Sequence, residues 1–344
     1  MLREPHDAPE LSIVVPVYNE IGNIEQFLAE TVPVLETCVS SYEIIFVADP
    51  CTDGTENLIV ECRAANPSVK LMRLSRRFGQ PTATLAGIQW ATGQAVVVMD
   101  CDLQDPPEVV AQMVEQWRAG FAVVLARRRQ RDGETLIKKT VAKAGYAFIN
   151  RFSDVPIPRD TGDFRLLDRK VVDELLTFKE SHGFLRGLVA LVGFEQTEVL
   201  FDRPARFSGK GNYNRNLGSL RIGFNGVVGF STALLNLSTW LGFIAAGLAL
   251  VTSVAYAVLK VVGTEFPIGN PTIVILVLLM GGFQLICLGI MGQYVGRIYE
   301  EVKQRPRFIV ERSVGFPGQQ SEAALDLTRE PARPPAPSLE NAPE

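Results

Sequence analysis

Apolar and polar positions alternate with two different periods along the first two hundred residues. Short runs rich in branched apolar side chains read as strands: Leu11-Ser-Ile-Val-Val-Pro16, Tyr42-Glu-Ile-Ile-Phe-Val-Ala48, Val69-Lys-Leu-Met-Arg-Leu74 and Ala95-Val-Val-Val-Met99. Between them, Asn23 to Cys38, Thr55 to Ala65 and Gln80 to Ala91 carry the wider helical spacing, with Asn23 placed to cap the first. Strand followed by helix, repeated, predicts an α/β domain over residues 11–215 with a mostly parallel, Rossmann-like sheet, preceded by an N-terminal extension at residues 1–10.

The pattern then changes. No charged residue lies between Arg221 and Lys260, and none between Glu265 and Arg297. A membrane span needs about 20 apolar residues. Two C-terminal transmembrane helices are therefore expected at about 233–260 and 270–294, in a membrane domain over 216–298. The competing reading is buried helices of a soluble domain. Gly281-Gly282 and Gly289 to Gly292 suit close helix packing and are compatible with a homo-oligomer. Arg203, Arg206, Lys210, Arg215 and Arg221 precede the first span, and Arg297, Lys303, Arg305 and Arg307 follow the second. The connecting loop has little beyond Lys260 and Glu265. The positive-inside rule places the large domain and a juxtamembrane segment at 299–314 in the cytoplasm, in a multi-pass protein of the inner (plasma) membrane. The stretch over 315–344, rich in Pro, Ala, Glu and Gln, is expected to be a disordered tail.

Composition narrows the chemistry. A net charge of −4 over 344 residues gives no support to a nucleic-acid partner. The five cysteines show no Cys-x-x-Cys spacing and read as reduced structural thiols. With only His6 and His182 present, a histidine zinc site is not expected. The N-terminus lacks the apolar stretch of a signal peptide. The strand–helix turns contain neither Gly-x-Gly-x-x-Gly nor a P-loop, which argues against dinucleotide oxidoreductases and P-loop NTPases.

Asp100-Cys101-Asp102 closes the fourth strand. Side chains repeat every second residue there, so both carboxylates can face one way at the C-terminal edge, where open α/β sheets bind ligands. Hard oxygen donors suit Mg²⁺ or Mn²⁺ holding a diphosphate; an ordinary acidic strand-end turn is the alternative. In the following Gln104-Asp105-Pro106-Pro107-Glu108, Asp105 is placed as an N-cap with Pro106 at N1 and Glu108 closing a capping box, while Gln104 can reach a metal or sugar. Tyr18 can stack on a base and Glu20 bond a ribose, or both belong to a polar loop; Asp49 can recognise a base N–H. Arg127, Arg128, Arg129 and Arg131 form a basic cluster suited to phosphate, or a solvated loop. Ile137, Val141, Ala144, Phe148 and Phe152, interleaved with Lys138, Lys139, Lys143 and Arg151, outline an amphipathic helix for an anionic interface or a core-facing surface helix. Arg206 and Lys210 can clamp a pyrophosphate or meet lipid headgroups.

Five segments together resemble the family 2 glycosyltransferases of GT-A fold: Ser12-Ile-Val-Val-Pro-Val-Tyr-Asn-Glu20, Asp53-Gly54-Thr55, Leu74-Ser-Arg-Arg-Phe-Gly-Gln80, Asp100 to Glu108, and Asp160-Thr-Gly-Asp-Phe-Arg-Leu-Leu-Asp168. The resemblance runs to about Val310 and is narrower toward the polyprenyl-phosphate glycosyltransferases of the dolichol-phosphate-mannose-synthase-like group, with GtrB-type undecaprenyl-phosphate glucosyltransferases the nearest in pattern. It implies an inverting transfer of a sugar, glucose for the GtrB type, from a UDP-sugar to a polyprenyl (undecaprenyl) phosphate, with Mg²⁺ or Mn²⁺ as cofactor. Carried onto this chain, it implies catalytic roles for Asp102 and Asp163, with Asp163 acting as a base or as an orienting group. Donor-nucleotide contacts would come from Pro16, Tyr18, Asn19, Glu20, Asp49, Arg76, Asp100 and Gln104. Metal ligation would come from Asp100, Asp102 and Gln104, and acceptor-phosphate contacts from Arg127, Arg131, Arg206 and Lys210. Asp168 reads instead as the start of the next helix. One departure stands out: the family's Asp-Asp-Gly-Ser after the second strand is Ala48-Asp49-Pro50-Cys51 here. A processive polysaccharide synthase is a second reading, although its Gln-x-x-Arg-Trp motif is missing. A non-catalytic membrane protein that keeps the fold is a third.

Overall fold

The apolar runs pair into one eight-stranded sheet: β1 (Leu11–Val17), β2 (Tyr42–Ala48), β3 (Val69–Leu74), β4 (Ala95–Val98), β5 (Val123–Arg128), β6 (Thr161–Asp168), β7 (Gln196–Phe201) and β8 (Val310–Val314). Their order is β7-β5-β6-β4-β1-β2-β3-β8. The structure is a computed structural model and describes residues 8–129, 161–178, 185–204, 207, 233–263 and 270–316. The amphipathic helix expected near 134–152 lies outside the described residues, as do Arg131, Arg206, Lys210 and the tail beyond residue 316. β1 pairs in parallel with β2 and β4, β2 with β3, and β5 with β7. Only β6 and β8 run against their neighbours.

Side-chain alternation on β1 feeds two cores. Ile13 and Val15 join Ile24, Phe27 and Leu35 of α1 (Ile21–Cys38), Ile59 of α2 (Thr55–Ala65) and Val110 and Met113 of α4 (Pro107–Arg118). Val14 turns to the other face, toward Leu85 and Ile88 of α3 (Gln80–Trp90), Val171 and Leu175 of α5 (Arg169–Thr177) and Leu185 and Leu188 of α6 (Leu185–Val192). A sheet buried on both faces explains why the strands read as continuous apolar runs. The α3 contact is close enough to require a glycine. A methyl group on Gly87 would collide with Val14 and come within 2.9 Å of Val47.

Two expectations are corrected. The first helix begins at Ile21 with Glu20 at its N-cap, and Asn23 is buried inside it. The Asn23 amide donates to the Glu20 carboxylate at 2.5 Å, so it braces the turn instead of capping it. The segment 299–314 is also more than a connector, because β8 within it pairs antiparallel with β3 from Leu71↔Val314 to Leu74↔Val310. The chain thus leaves the sheet after β7 and returns to its far edge. Between lie α7 (Ala233–Val261) and α8 (Asn270–Val302), whose apolar side chains, among them Phe243, Leu250, Leu276 and Leu285, are exposed. Among the described residues one helical segment, Leu279–Val302, is long and apolar enough to cross a membrane, and Ser238–Thr252 is a shorter apolar stretch.

At the N-terminal edge of the sheet, Glu43 is buried and fully engaged. It accepts from Ser12 Oγ at 2.6 Å, Thr92 N at 2.6 Å and Lys70 Nζ at 2.5 Å. Burial opposes its ionisation, but the Lys70 and Ser12 hydrogen bonds outweigh burial and hold the carboxyl below its ordinary 4.5. A depressed carboxyl contributes stability above the unfolded pKa, and this is lost as pH falls through the folded value. Glu43→Gln should therefore cost about 2 kcal/mol at neutral pH, with the gap to wild type narrowing below pH 4.5 in urea melts. Gly87→Ala should lower stability by roughly 1–3 kcal/mol through overpacking, read by the same melts.

Candidate active site

The C-terminal ends of β1, β2 and β4 and the N-terminal end of β6 meet at one edge of the sheet, because β6 runs against β4 with Val98 opposite Arg165. Continuing that register by two residues sets Asp163 beside Asp100. β5 pairs with β6 and β7 so that Arg128 and the segment after Phe201 reach the same edge. The acidic loop after β4 is held by its own backbone. Leu103 takes a left-handed conformation (φ 58°), uncommon for an apolar side chain. That bend returns the Gln104 N–H to Asp102 Oδ1 at 3.1 Å. Asp102 is 6% exposed and Asp105 5%.

Asp105 does not cap α4. The N-cap is Pro106, and Pro107 occupies the first helical position, one residue later than the sequence reading. Asp105 Oδ2 instead accepts the backbone N–H of Asp100 at 3.2 Å. Burial pushes the Asp105 carboxyl up to about 6, although that hydrogen bond and Arg203 and Arg128 pull the other way. Asp100 is pushed well above its ordinary range, first by burial and then by the charges of Asp105, Asp102 and Asp163. The edge is therefore a concentration of partly buried carboxylates that a cation would relieve.

Basic side chains surround this cluster. Arg186 on α6 holds Asp163 at 2.9 Å, and the buried Arg165 approaches it to 4.0 Å. Burial opposes ionisation of Asp163, but Arg186 and Arg165 outweigh it and keep the carboxyl below its usual range. Burial also lowers Arg165, to about 10. Its Nη2 is tied to the Gly162 carbonyl at 2.6 Å. Arg203 donates to Gln104 Oε1 at 2.5 Å, and Gln80 Nε2 donates to Asp100 Oδ1 at 2.8 Å.

The other candidates fall into place around this edge. Gln104, expected to reach a metal, presents its carbonyl oxygen to Arg203. Arg127 is paired with Glu198 at 2.9 Å on the neighbouring strand, whereas Arg128 lies close enough to act on Asp105 and Asp163. Arg77 stacks over the Tyr18 ring at 4.0 Å and Arg76 over Phe78 at 4.1 Å. Asn19, at φ 55°, accepts from Thr52 N at 2.8 Å, and Glu20 N donates to Thr55 Oγ1 at 3.0 Å. Pro16 lies within β1, one residue before its end. Asp49 is buried and receives the backbone N–H of Phe78 at 3.0 Å and of Gly79 at 2.9 Å, one on each oxygen. Asp168 caps α5, as its position implies, accepting from Lys170 N at 2.9 Å. Gln80, Arg186 and Arg203 hold carboxylates or their loop, yet the sequence reading gave them no role at the site.

A mostly parallel sheet with its carboxylates gathered at the C-terminal strand ends is a GT-A-like architecture. Residues 12–176 match the model of Glycosyl transferase family 2, and the chain belongs to that family. An uncharacterized glycosyltransferase of Synechocystis sp. is 43% identical over 304 residues, 88% of this chain and 94% of the relative. The SfII prophage-derived bactoprenol glucosyl transferase of Shigella flexneri is 34% identical over 306 residues, 88% of this chain and 98% of that one. Among solved structures, the mannosyltransferase PcManGT of Pyrobaculum calidifontis, in complex with GDP-Man and Mn²⁺, superposes at a TM-score of 0.43 with 18% identity. It covers 88% of this chain and 87% of its own, a likeness too distant to carry ligands across.

Asp49→Asn would leave one oxygen for two backbone donors. It should cost about 1–3 kcal/mol in a denaturant melt, and amide exchange at Phe78 and Gly79 should accelerate.

Proposed function

We propose that this chain transfers a sugar from a nucleotide sugar to a polyprenyl phosphate at a membrane surface. One observation carries the reading: a cation-seeking carboxylate cluster, Asp100 with Asp102, faces a set of arginines, Arg128, Arg186 and Arg203, at one sheet edge. Its relatives named bactoprenol glucosyl transferases support glucose as the sugar and a polyprenyl carrier as the acceptor, and we take UDP-glucose as the donor and undecaprenyl phosphate as that acceptor.

Asp100 and Asp102 fit a divalent cation of the Mg²⁺ or Mn²⁺ kind. Such ions are often held by one or two carboxylates together with substrate phosphates. Among the described residues no group of three or more His, Cys, Asp or Glu side chains is arranged to hold a metal ion. When bound, the ion would offset charge on the departing nucleoside diphosphate. The residues of the chain do the rest. Tyr18, with Arg77 over its ring, borders the donor loop that Asp49 shapes. Arg128 and Arg203 offer forks for phosphate oxygens. A phosphate monoester, with a second pKa near 6, is already anionic at neutral pH and needs no base. Asp163, held ionised by Arg186 and Arg165, suits orientation better than proton removal. Attack by the lipid phosphate opposite the leaving group gives inversion, with proximity supplying much of the rate.

A paired-helix membrane anchor is part of this reading. β7 and β8 belong to one sheet, so an anchor inserted between them would cross a bilayer an even number of times. With Leu279–Val302 as one crossing, we assign the other to α7, which contains the shorter apolar stretch Ser238–Thr252. At 29 residues it is about 43 Å long, enough for the hydrocarbon core. The sheet and its active edge then share the cytoplasmic side.

Purified full-length protein with radiolabelled UDP-glucose and undecaprenyl phosphate should yield an organic-extractable labelled lipid. Chelation should stop the reaction and Mn²⁺ or Mg²⁺ restore it. Asp102→Asn should lower kcat by on the order of 100-fold or more while melting like wild type. Absence of transfer from every common nucleotide sugar would overturn the reading.

A further inference from the structure

The segment that follows α8 touches the catalytic domain at two places important to the site. The Ile309 carbonyl accepts the Ser75 N–H at 2.9 Å, where β3 gives way to the donor loop. That loop supplies Phe78 and Gly79 N–H to Asp49 and Gln80 to Asp100. Two residues earlier, the Arg307 guanidinium donates to the Phe178 carbonyl, at the C-cap of α5. α5 packs on α6, and α6 carries Arg186, the partner of Asp163. Phe308 packs against the second core, which also contains Leu175 of α5 and Leu185 and Leu188 of α6. Beyond this point β8 anchors the segment, with Glu311 paired to Arg73 and Phe316 edge-on to Trp90 at 5.0 Å.

We propose that Arg307 is a positioning residue that sets the α5–α6 unit, and through it Arg186 and Asp163, against the donor loop. The carbonyl it engages closes a helix whose last acceptors have no partner within the helix itself, so a charged donor there is well placed to fix the helix end. Val302, the last residue of α8, is separated from Arg307 by four residues. The seating of the long apolar helix and the geometry of the two loops are thereby one mechanical problem. Misplacement of about 1 Å at a reacting group can cost roughly a hundredfold in rate, so a modest shift of α6 is enough to matter. The consequence for turnover rests on the transferase reading above; the consequence for α6 does not.

The test uses the full chain in lipid nanodiscs as wild type, Arg307→Ala and Arg307→Lys. Amide exchange is followed over Leu188–Val192 and Phe78–Gln80, alongside initial rates with UDP-glucose and undecaprenyl phosphate. In Arg307→Ala, exchange over Leu188–Val192 should rise by about tenfold. In the same variant kcat should fall by about tenfold with the nucleotide-sugar KM within about twofold. Arg307→Lys, which keeps a charged donor, should recover most of both. Unchanged exchange over Leu188–Val192 in Arg307→Ala overturns the proposal, as does a lowered melting temperature with kcat preserved. If the wild type transfers no sugar, the proposed function fails, and the exchange measurement still decides the role of Arg307.

Discussion

The antiparallel insertion of β6 beside β4 is the constraint from which the site follows. Were β6 parallel to β4, a carboxylate at its start would sit at the wrong edge. Reversal of this one strand, with Val98 opposite Arg165, puts Asp163 next to Asp100. It also loads negative charge into a poorly solvated edge, which is costly unless opposite charge is close. Arg165, buried beneath the edge, remains cationic at neutral pH because burial lowers it only to about 10. With Arg186 beside it, one part of the acidic edge is held ionised while Asp100 and Asp105 are pushed the other way. The reversal thus sets Asp163, held ionised by arginines, beside Asp100, whose carboxyl is pushed up first by burial.

The departure after β2 has a physical reading. Where the family pattern places two carboxylates, Asp49 alone remains, and it is buried with a backbone N–H on each oxygen. Its geometry shapes the loop from Phe78 to Gln80, and that loop in turn reaches Asp100. Whatever the lost carboxylate contributed elsewhere, the retained one braces the loop that reaches Asp100. Pro50, with its restricted φ, follows directly and limits the freedom of the same turn.

Much of this was legible in the sequence, and the misses have identifiable causes. β2, α2 and β3 appear at the residues the apolar pattern marks, because a doubly covered sheet imposes unbroken apolar runs. The arginine cluster was visible, but not which of its members turns inward. β5 carries the apolar run on through Arg128, and strand parity separates Arg127 toward Glu198 from Arg128 toward the acidic edge. The consecutive prolines moved the start of α4 by one residue and freed Asp105 from capping. Arg186 and Arg203 carry no local signal, since each meets its partner only through tertiary packing. β8 was missed because Glu311-Arg312-Ser313 between two valines does not resemble a strand; its pairing depends on the open edge of β3.

That pairing has a consequence in time. β3 is complete at Leu74, but its outer partner is not made until Val310–Val314. At a synthesis rate of about 5–20 residues per second, the edge of β3 stays uncovered for some tens of seconds on a growing chain. An uncovered edge is a template for pairing with other chains. The sheet is therefore finished only after both apolar helices have been synthesised, so its last strand reports that the segment between has been delivered. A chain ending between Phe201 and Val310 would carry the other seven strands with a permanently open flank on β3.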